Sequence, residues 1–269
     1  MSAMRDALPI FRRALRESWR GTLGWTIGVA AVLFMYLPLF PSIGGNGQMQ
    51  QIIDSLPPEL VGALGYDQIG TGAGYAQGTF YGLIGFLLLT IAATAWGAGA
   101  IAGAEESGRL ELDLAHGVGR VGYALESAAA ILVRLVWLGV FAGAVVALLN
   151  DSAQLDIEPI RIVDATVVFV GLTVLAGSSA LFVGALFGRR SWGIAAGAGI
   201  AIAGYAFNAI ANQVEAAEWL RTISPYSWAF HQPPLVEGLS PSGAVALWAL
   251  SLVLIAGSGW ALRRRDVIG

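Results

Sequence analysis

Residues 165–212 read ATVVFVGLTVLAGSSALFVGALFGRRSWGIAAGAGIAIAGYAFNAIAN. Two uncharged runs, Ala165–Gly188 and Ser191–Asn212, are separated only by Arg189 and Arg190. Each is long enough to cross a hydrocarbon core, which takes roughly 20 helical residues. In lipid every backbone N–H and C=O must be satisfied within its own segment, so each run is predicted to be a helix. The composition of the chain agrees. Of 269 residues, 56% are hydrophobic and 12% charged, about half the charged share of an ordinary soluble protein. Too few charges remain to clothe a soluble domain of this size.

Four more spans emerge on either side of this pair. The first is expected at Gly21–Phe40. The second lies within the uncharged stretch 68–104, starting near Gln77 and running over 77–104. The third covers Ser127–Asn150, interrupted by Arg134, and the sixth covers Gly243–Leu262, ended by Arg263, Arg264 and Arg265. The expected fold is an all-α integral membrane protein, one transmembrane domain over residues 1–269 with six transmembrane helices.

All fifteen basic residues are arginine, and their distribution orients the spans. Arg5, Arg12, Arg13, Arg16 and Arg20 precede span one, Arg109 and Arg120 lie between spans two and three, Arg189 and Arg190 between four and five, and three arginines follow span six. These twelve fall on one side, and only Arg161 and Arg221 fall on the other. Cytoplasmic loops carry the excess of basic residues, so both termini are expected in the cytoplasm. The first apolar run is of spanning length and lacks a small-residue cleavage site, so no removable signal peptide is expected.

Absent residue types exclude whole chemistries. With no cysteine there is no disulfide, thiolate nucleophile, iron–sulfur cluster or cysteine zinc site. With no lysine there is no Schiff base and no phosphate-binding loop ending in Lys-Ser/Thr. If ATP drives this protein, another chain hydrolyses it. His116 and His231 are expected on opposite sides of the membrane, so no shared metal site is expected. No Gly-x-Ser-x-Gly nucleophile elbow occurs either.

The N-terminal segment carries an apolar stripe. Leu8, Phe11, Leu15 and Trp19 recur at steps of three and four, with Arg12, Arg13, Arg16 and Arg20 on other faces. This pattern predicts an amphipathic helix over 1–20 lying in the membrane interface before span one. On the other side, residues 41–78 are polar and Gly-rich, and the stretch from Ile52 to Val61 has room for short amphipathic helices. Asp54, Glu59 and Asp67 give that loop negative charge. Residues 213–242 carry Pro225, Pro233, Pro234 and Pro241, which predict a broken path.

The most informative stretch is Ala102–Arg120, with four acids and two arginines between spans two and three. Gly117, Gly119 and Gly122 match the bare dinucleotide fingerprint, and Leu110, Leu112 and Leu114 alternate like a strand before it. The required second strand with its acid about 20 residues on does not follow, so the match is accidental. As a helix, the segment places Leu110, Leu114 and Val118 on one apolar face.

The motif Gly103-x-Glu105-Glu106-x-Gly108-x-Leu110-Glu111-Leu112-x-Leu114-Ala115-x-x-Val118-x-Arg120 resembles the signature of type-2 ABC exporter permeases. In that family it lies between the second and third of six spans and forms the coupling helix that seats in a cleft of the ATPase subunit. Ile223-Ser224-Pro225-Tyr226 is similar to the family's Leu-Ser-Pro-(Phe/Tyr) before span six. The resemblance implies ATPase docking through Glu105, Glu106, Gly108, Leu110 and Arg120, within a loop covering 105–122. Asp113, Gly117 and Glu126 depart from the pattern, standing where an apolar residue, a proline and a basic residue are usual.

Taken with the resemblance, the expected function is the membrane subunit of an ATP-driven exporter in the bacterial cytoplasmic membrane, moving a lipophilic or amphiphilic cargo such as a drug or lipid-like molecule. Expected partners are an ATP-hydrolysing subunit, a second six-span subunit (identical or related) and membrane lipid, but not nucleic acid. ATP and Mg²⁺ would be bound by the partner and no cofactor by this chain. Asn208, Asn212 and Gln213 cluster at the outer end of span five, where they could line a substrate path or join helices. Arg134 inside span three is either functional or a snorkelling residue near the cytoplasmic end. Glycine pairs spaced by four, among them Gly139/Gly143 and Gly193/Gly197, predict close helix packing. The alternative is an ATP-independent secondary transporter or channel, which calls for ionisable residues deep in several spans. A membrane-embedded enzyme would need clustered nucleophiles or metal ligands at one depth.

Overall fold

A computed structural model describes residues 8–43 and 69–265, together with Ser55 and Pro57. Six helices are long and apolar enough to cross a membrane: Pro9–Ser42, Gly72–Ala100, Arg120–Leu149, Pro159–Phe187, Arg190–Gln213 and Pro241–Arg264. They are spans one to six below. Arg5 and the expected features at 52–61, with Asp54, Glu59 and Asp67, lie outside the described residues.

The helix ends are encoded locally. Thr71 Oγ1 accepts the Gly74 N–H at 3.0 Å to start span two, and Ser240 Oγ accepts the Gly243 N–H at 3.4 Å to start span six. Pro159 and Pro241 occupy first-turn positions whose N–H would have no helical partner. Gly188, at φ +67°, ends span four in the left-handed conformation that side chains resist. Arg263 and Arg264 sit in the last turn of span six, where the helix dipole is negative.

Span four is the axis of the bundle. Its most apolar stretch is 83% buried, with every residue from Gly171 to Ala180 inside. Spans two, three, five and six pack around it. Small residues set the separations. A Cβ on Gly97 would collide with the Gly177 carbonyl and approach Ala180 Cβ to 2.9 Å. One on Gly193 would lie 2.8 Å from the Ala180 carbonyl, and one on Gly197 would lie 2.9 Å from that of Ala176. The expected close packing therefore holds at Gly193/Gly197, and also at Gly139/Gly143 against Val170 and Thr166. It does not hold within the chain at Gly24/Gly28, where nothing approaches within 4 Å.

Several helix limits differ from expectation. Span three starts at Arg120 rather than Ser127, and span four at Pro159 rather than Ala165. Hydropathy marks where lipid begins, whereas a helix continues into water with Glu126 or Arg161 on its surface. Span two enters through an eight-residue π-helical stretch, Gln77–Ile84, that periodicity cannot reveal. At the N-terminus the expected segment before span one runs on into it. No break separates an interfacial helix from span one, because a single helix runs from Pro9 to Tyr36. Nothing at Arg20-Gly21 interrupts its hydrogen bonding, since one glycine only weakens a helix. Leu8 and Trp19 are exposed, and Phe11 and Leu15 half-buried. Ile10, on the other side of the helix, packs inward, and further along Thr26, Val29 and Leu33 are buried on the same side as Phe11 and Leu15.

Residues 213–242 follow the broken path expected. Short helices at Leu220–Ile223 and Pro225–Phe230 fold back against the bundle. Ser224 Oγ donates to the Gly204 carbonyl at 2.6 Å and Tyr226 Oη to that of Gly82 at 2.8 Å, so the Ser-Pro-Tyr segment bridges spans two and five.

Replacing Gly97 with leucine is expected to destabilise the fold by about 1–3 kcal/mol through overpacking. Gly21→Ala, mid-helix where nothing lies within 4 Å, should instead stabilise the fold by about 0.5–1 kcal/mol. Thermal unfolding in detergent measures both, and equal stability of the two variants would contradict the close crossing of spans two and four.

Candidate functional site: the 102–120 loop and its anchors

Span two ends at a turn on Ile101, and the chain continues as two short helices, Ala102–Glu106 and Arg109–Ala115. Gly108 between them adopts φ +70°, which reverses the chain at little cost only for glycine. Ser107 Oγ bonds back to the Gly103 carbonyl at 2.9 Å, closing the first helix. The second stops at Ala115, and Gly117, at φ +88°, turns the chain toward span three. The residues ahead of Gly117 are helical, so the glycine fingerprint has no strand before it.

Three of the four acids in this loop, Glu105, Glu106 and Asp113, each reach a different part of the bundle. Glu105 forms an ion pair with Arg265, both side chains largely buried. Arg120 Nη1 donates to the Arg265 carbonyl at 2.7 Å, so the end of span six is held by the loop and by span three together. Glu106 Oε1 accepts the Arg190 N–H at 2.8 Å, placing a carboxylate on the positive end of span five. Asp113 takes both terminal nitrogens of Arg13, with Nη1 at 2.6 Å, and so pins span one. The turn after span four passes so close to Glu105 that a Cβ on Gly188 would lie 2.8 Å from its Oε1.

The apolar side of the loop faces inward. Leu110 is fully buried in a cluster with Ile10, Ile101, Tyr123 and Leu262, and Leu114 and Val118 pack against it. Of the five residues expected to meet a partner, Leu110 therefore has no surface to present. Glu105 and Arg120 are turned toward the bundle, Glu106 is exposed while its Oε1 holds the Arg190 N–H, and Gly108 supplies the bend. The outward face is Leu112, 62% exposed, with Ser107, Arg109 and His116.

Sequence reasoning missed three anchors. Asp113 and Glu126 stood out only as departures from the motif, and both hold span one. Glu126 Oε2 accepts the Phe11 N–H at 3.0 Å, capping the first turn of that helix. Arg265 read as one of three stop-transfer arginines, and nothing local distinguished it.

At the other end, Asn208 is buried and its Oδ1 accepts the Ser227 hydroxyl at 2.8 Å. Asn212 Oδ1 accepts from Arg221 at 3.2 Å. Both join span five to the broken segment that follows it. His231 lies there too, its pKa lowered by partial burial and then by Arg221. No group of three metal-ligating side chains occurs among the described residues.

Arg265→Gln is expected to loosen the loop by about 1–3 kcal/mol, the cost of leaving a buried charged partner unsatisfied. Hydrogen exchange should accelerate over 102–116 and at the end of span six, and pairing the change with Glu105→Gln should cost little more. Unchanged protection in the single variant would show that this contact does not hold the loop.

Six apolar helices around a buried axis, with a charged two-helix loop locked to the arginine-rich end, form the frame of a transport subunit. No curated protein matches the chain. The family described as multidrug efflux system permease Rv1217c, C-terminal domain, matches residues 11–263. The chain belongs to that family, and so is a multi-span permease of the multidrug efflux, ABC exporter type.

Proposed function

We propose that the chain is the membrane subunit of an exporter powered by a separate ATP-hydrolysing subunit, which docks on the helix Arg109–Ala115. One observation carries this reading: Glu105, Glu106, Asp113 and the buried Leu110 hold the loop to the bundle, while Leu112 is left on the outer surface. A rigidly anchored loop with an exposed apolar knob suits the transfer of a partner's motion. A push on this loop reaches span one through Asp113 and span five through Glu106, and the ends of spans three and six through Arg120 and Arg265. ATP and Mg²⁺ belong to the partner.

Two such six-span units, identical or related, would enclose the pathway. An apolar cavity of about 290 Å³ between spans two and five is lined by Leu83, Phe86, Ile91, Ala201 and Tyr205. It supports a lipophilic or amphiphilic cargo. The N-terminal helix, the 102–120 loop, the turn between spans four and five and the end of span six share one end of the bundle. Eleven described arginines gather there, against Arg161 and Arg221 at the other. By the positive-inside rule that end is cytoplasmic, giving a bacterial inner-membrane protein with both termini inside.

Co-purification with candidate ATP-hydrolysing subunits in mild detergent tests this. Leu112→Asp should weaken retention about 30-fold or more, as loss of an apolar hot spot does, with the permease still folded. Leu110→Asp should instead destabilise the permease itself. Transport in proteoliposomes driven by an ion gradient, with no ATP-hydrolysing subunit present, would overturn the proposal.

A further inference from the structure

Arg134 is 92% buried (8% of its surface exposed) within span three. Its Nε donates to the Ala130 carbonyl at 3.1 Å, so the side chain runs back toward the arginine-rich end. Its Cζ lies 4.3 Å from the Trp96 ring centroid. Among the described residues no carboxylate lies within 4 Å of its guanidinium. A cation taken out of water is held by a paired anion or by several strong acceptors, and one carbonyl and one ring face satisfy only part of this group.

The guanidinium borders a cavity of about 280 Å³ between spans one, two and three. Trp96, Gly99 and Ala130 line it alongside Arg134, with Ser127 beside them, and Arg13 and Arg109 at its arginine-rich end. Glu17 also lines it, 3.9 Å from Arg13, which Asp113 already pairs. Arg134 and Arg109 therefore remain the unmatched cations of the lining among the described residues. Span one packs along span three and joins span two at its far end, where Tyr75 Oη donates to the Tyr36 carbonyl at 3.0 Å, so at the depth of Arg134 the cavity opens sideways between them, toward lipid.

We propose that this cleft binds a phosphate oxyanion, supplied by the headgroup of an anionic phospholipid. A phosphodiester accepts charge-assisted hydrogen bonds from a guanidinium in the planar geometry that arginine offers. The Trp96 face and the alanines border the glycerol end, and the acyl chains leave through the opening between spans one and two. Bound there, the lipid fastens span one to span two at their arginine-rich ends, away from the Tyr75 contacts with Tyr36 and Phe40 that join their far ends. This assignment is independent of how the permease is powered.

Native mass spectrometry of the full-length chain tests it, with phosphatidylglycerol or phosphate-free diacylglycerol added to the detergent. Wild type should retain phosphatidylglycerol in preference to diacylglycerol, and Arg134→Gln should weaken retention about tenfold or more. Gly99→Leu gives a second variant, because nothing lies within 4 Å of a Cβ there. It fills the cleft, leaves Arg134 in place, and should also lose the lipid if Arg134→Gln proves unstable. Displacement by excess inorganic phosphate would support the oxyanion site with a soluble anion as its source, whereas resistance supports the headgroup. Equal retention of the two lipids, or equal retention by wild type and Gly99→Leu, would overturn the proposal.

Discussion

Glu105 and Arg265 meet where the end of span two, the turn after span four and the end of span six converge, and the loop takes its position from that contact. Both side chains are mostly withdrawn from water, so each needs the other: a lone charge there would bear its desolvation uncompensated. Around this pair the remaining charges fall into order. Arg120 holds the Arg265 backbone, Glu106 caps span five and Asp113 holds Arg13. With Leu110 in the core beneath them, the loop has one orientation, and Leu112 is left pointing outward.

The core gives these surface contacts their mechanical meaning. Span four is enclosed by its neighbours, and the glycines of spans two, three and five bring backbones too close for side chains to intervene. A core packed this closely transmits displacement because it has little room to absorb it. Span one is different. It lies mainly on span three, held at its start by Glu126 and Asp113 and further along by the Trp137 indole, which donates to Thr26 Oγ1 at 3.1 Å, and it meets span two at its far end, where Tyr75 Oη donates to the Tyr36 carbonyl. It is the element best able to move relative to the rest, and its tether runs directly to the 102–120 loop through Asp113.

The existence of six helices and the clustering of arginine at one end were legible in the sequence because both follow from a bulk property, the exclusion of charge from hydrocarbon. Helix limits were less so. Arg120 and Pro159 begin helices well outside the apolar windows, and Pro9 begins one that runs unbroken past Gly21. The loop was found by its motif, but the roles of its residues were not, since Glu105 and Leu110 owe theirs to partners far away in the chain. Leu112 illustrates the difference most clearly. The helical reading already set it about 200° around the axis from Leu110, but that this side is the outer one follows only from the bundle that buries Leu110. Asp113 and Glu126 looked like blemishes on a family pattern until Arg13 and the Phe11 N–H supplied the reason for them.

The absence of cysteine makes a direct test straightforward. A single cysteine at position 112, carrying a short photo-activated cross-linker, should join the permease to the proposed ATP-hydrolysing subunit in membranes, while a cysteine at Ala144, on the exposed flank of span three, should not. Cross-linking from 112 alone is the result that motion delivered through this loop requires. Failure at 112 with both subunits present and the permease folded, or equal yield at 144, would contradict it.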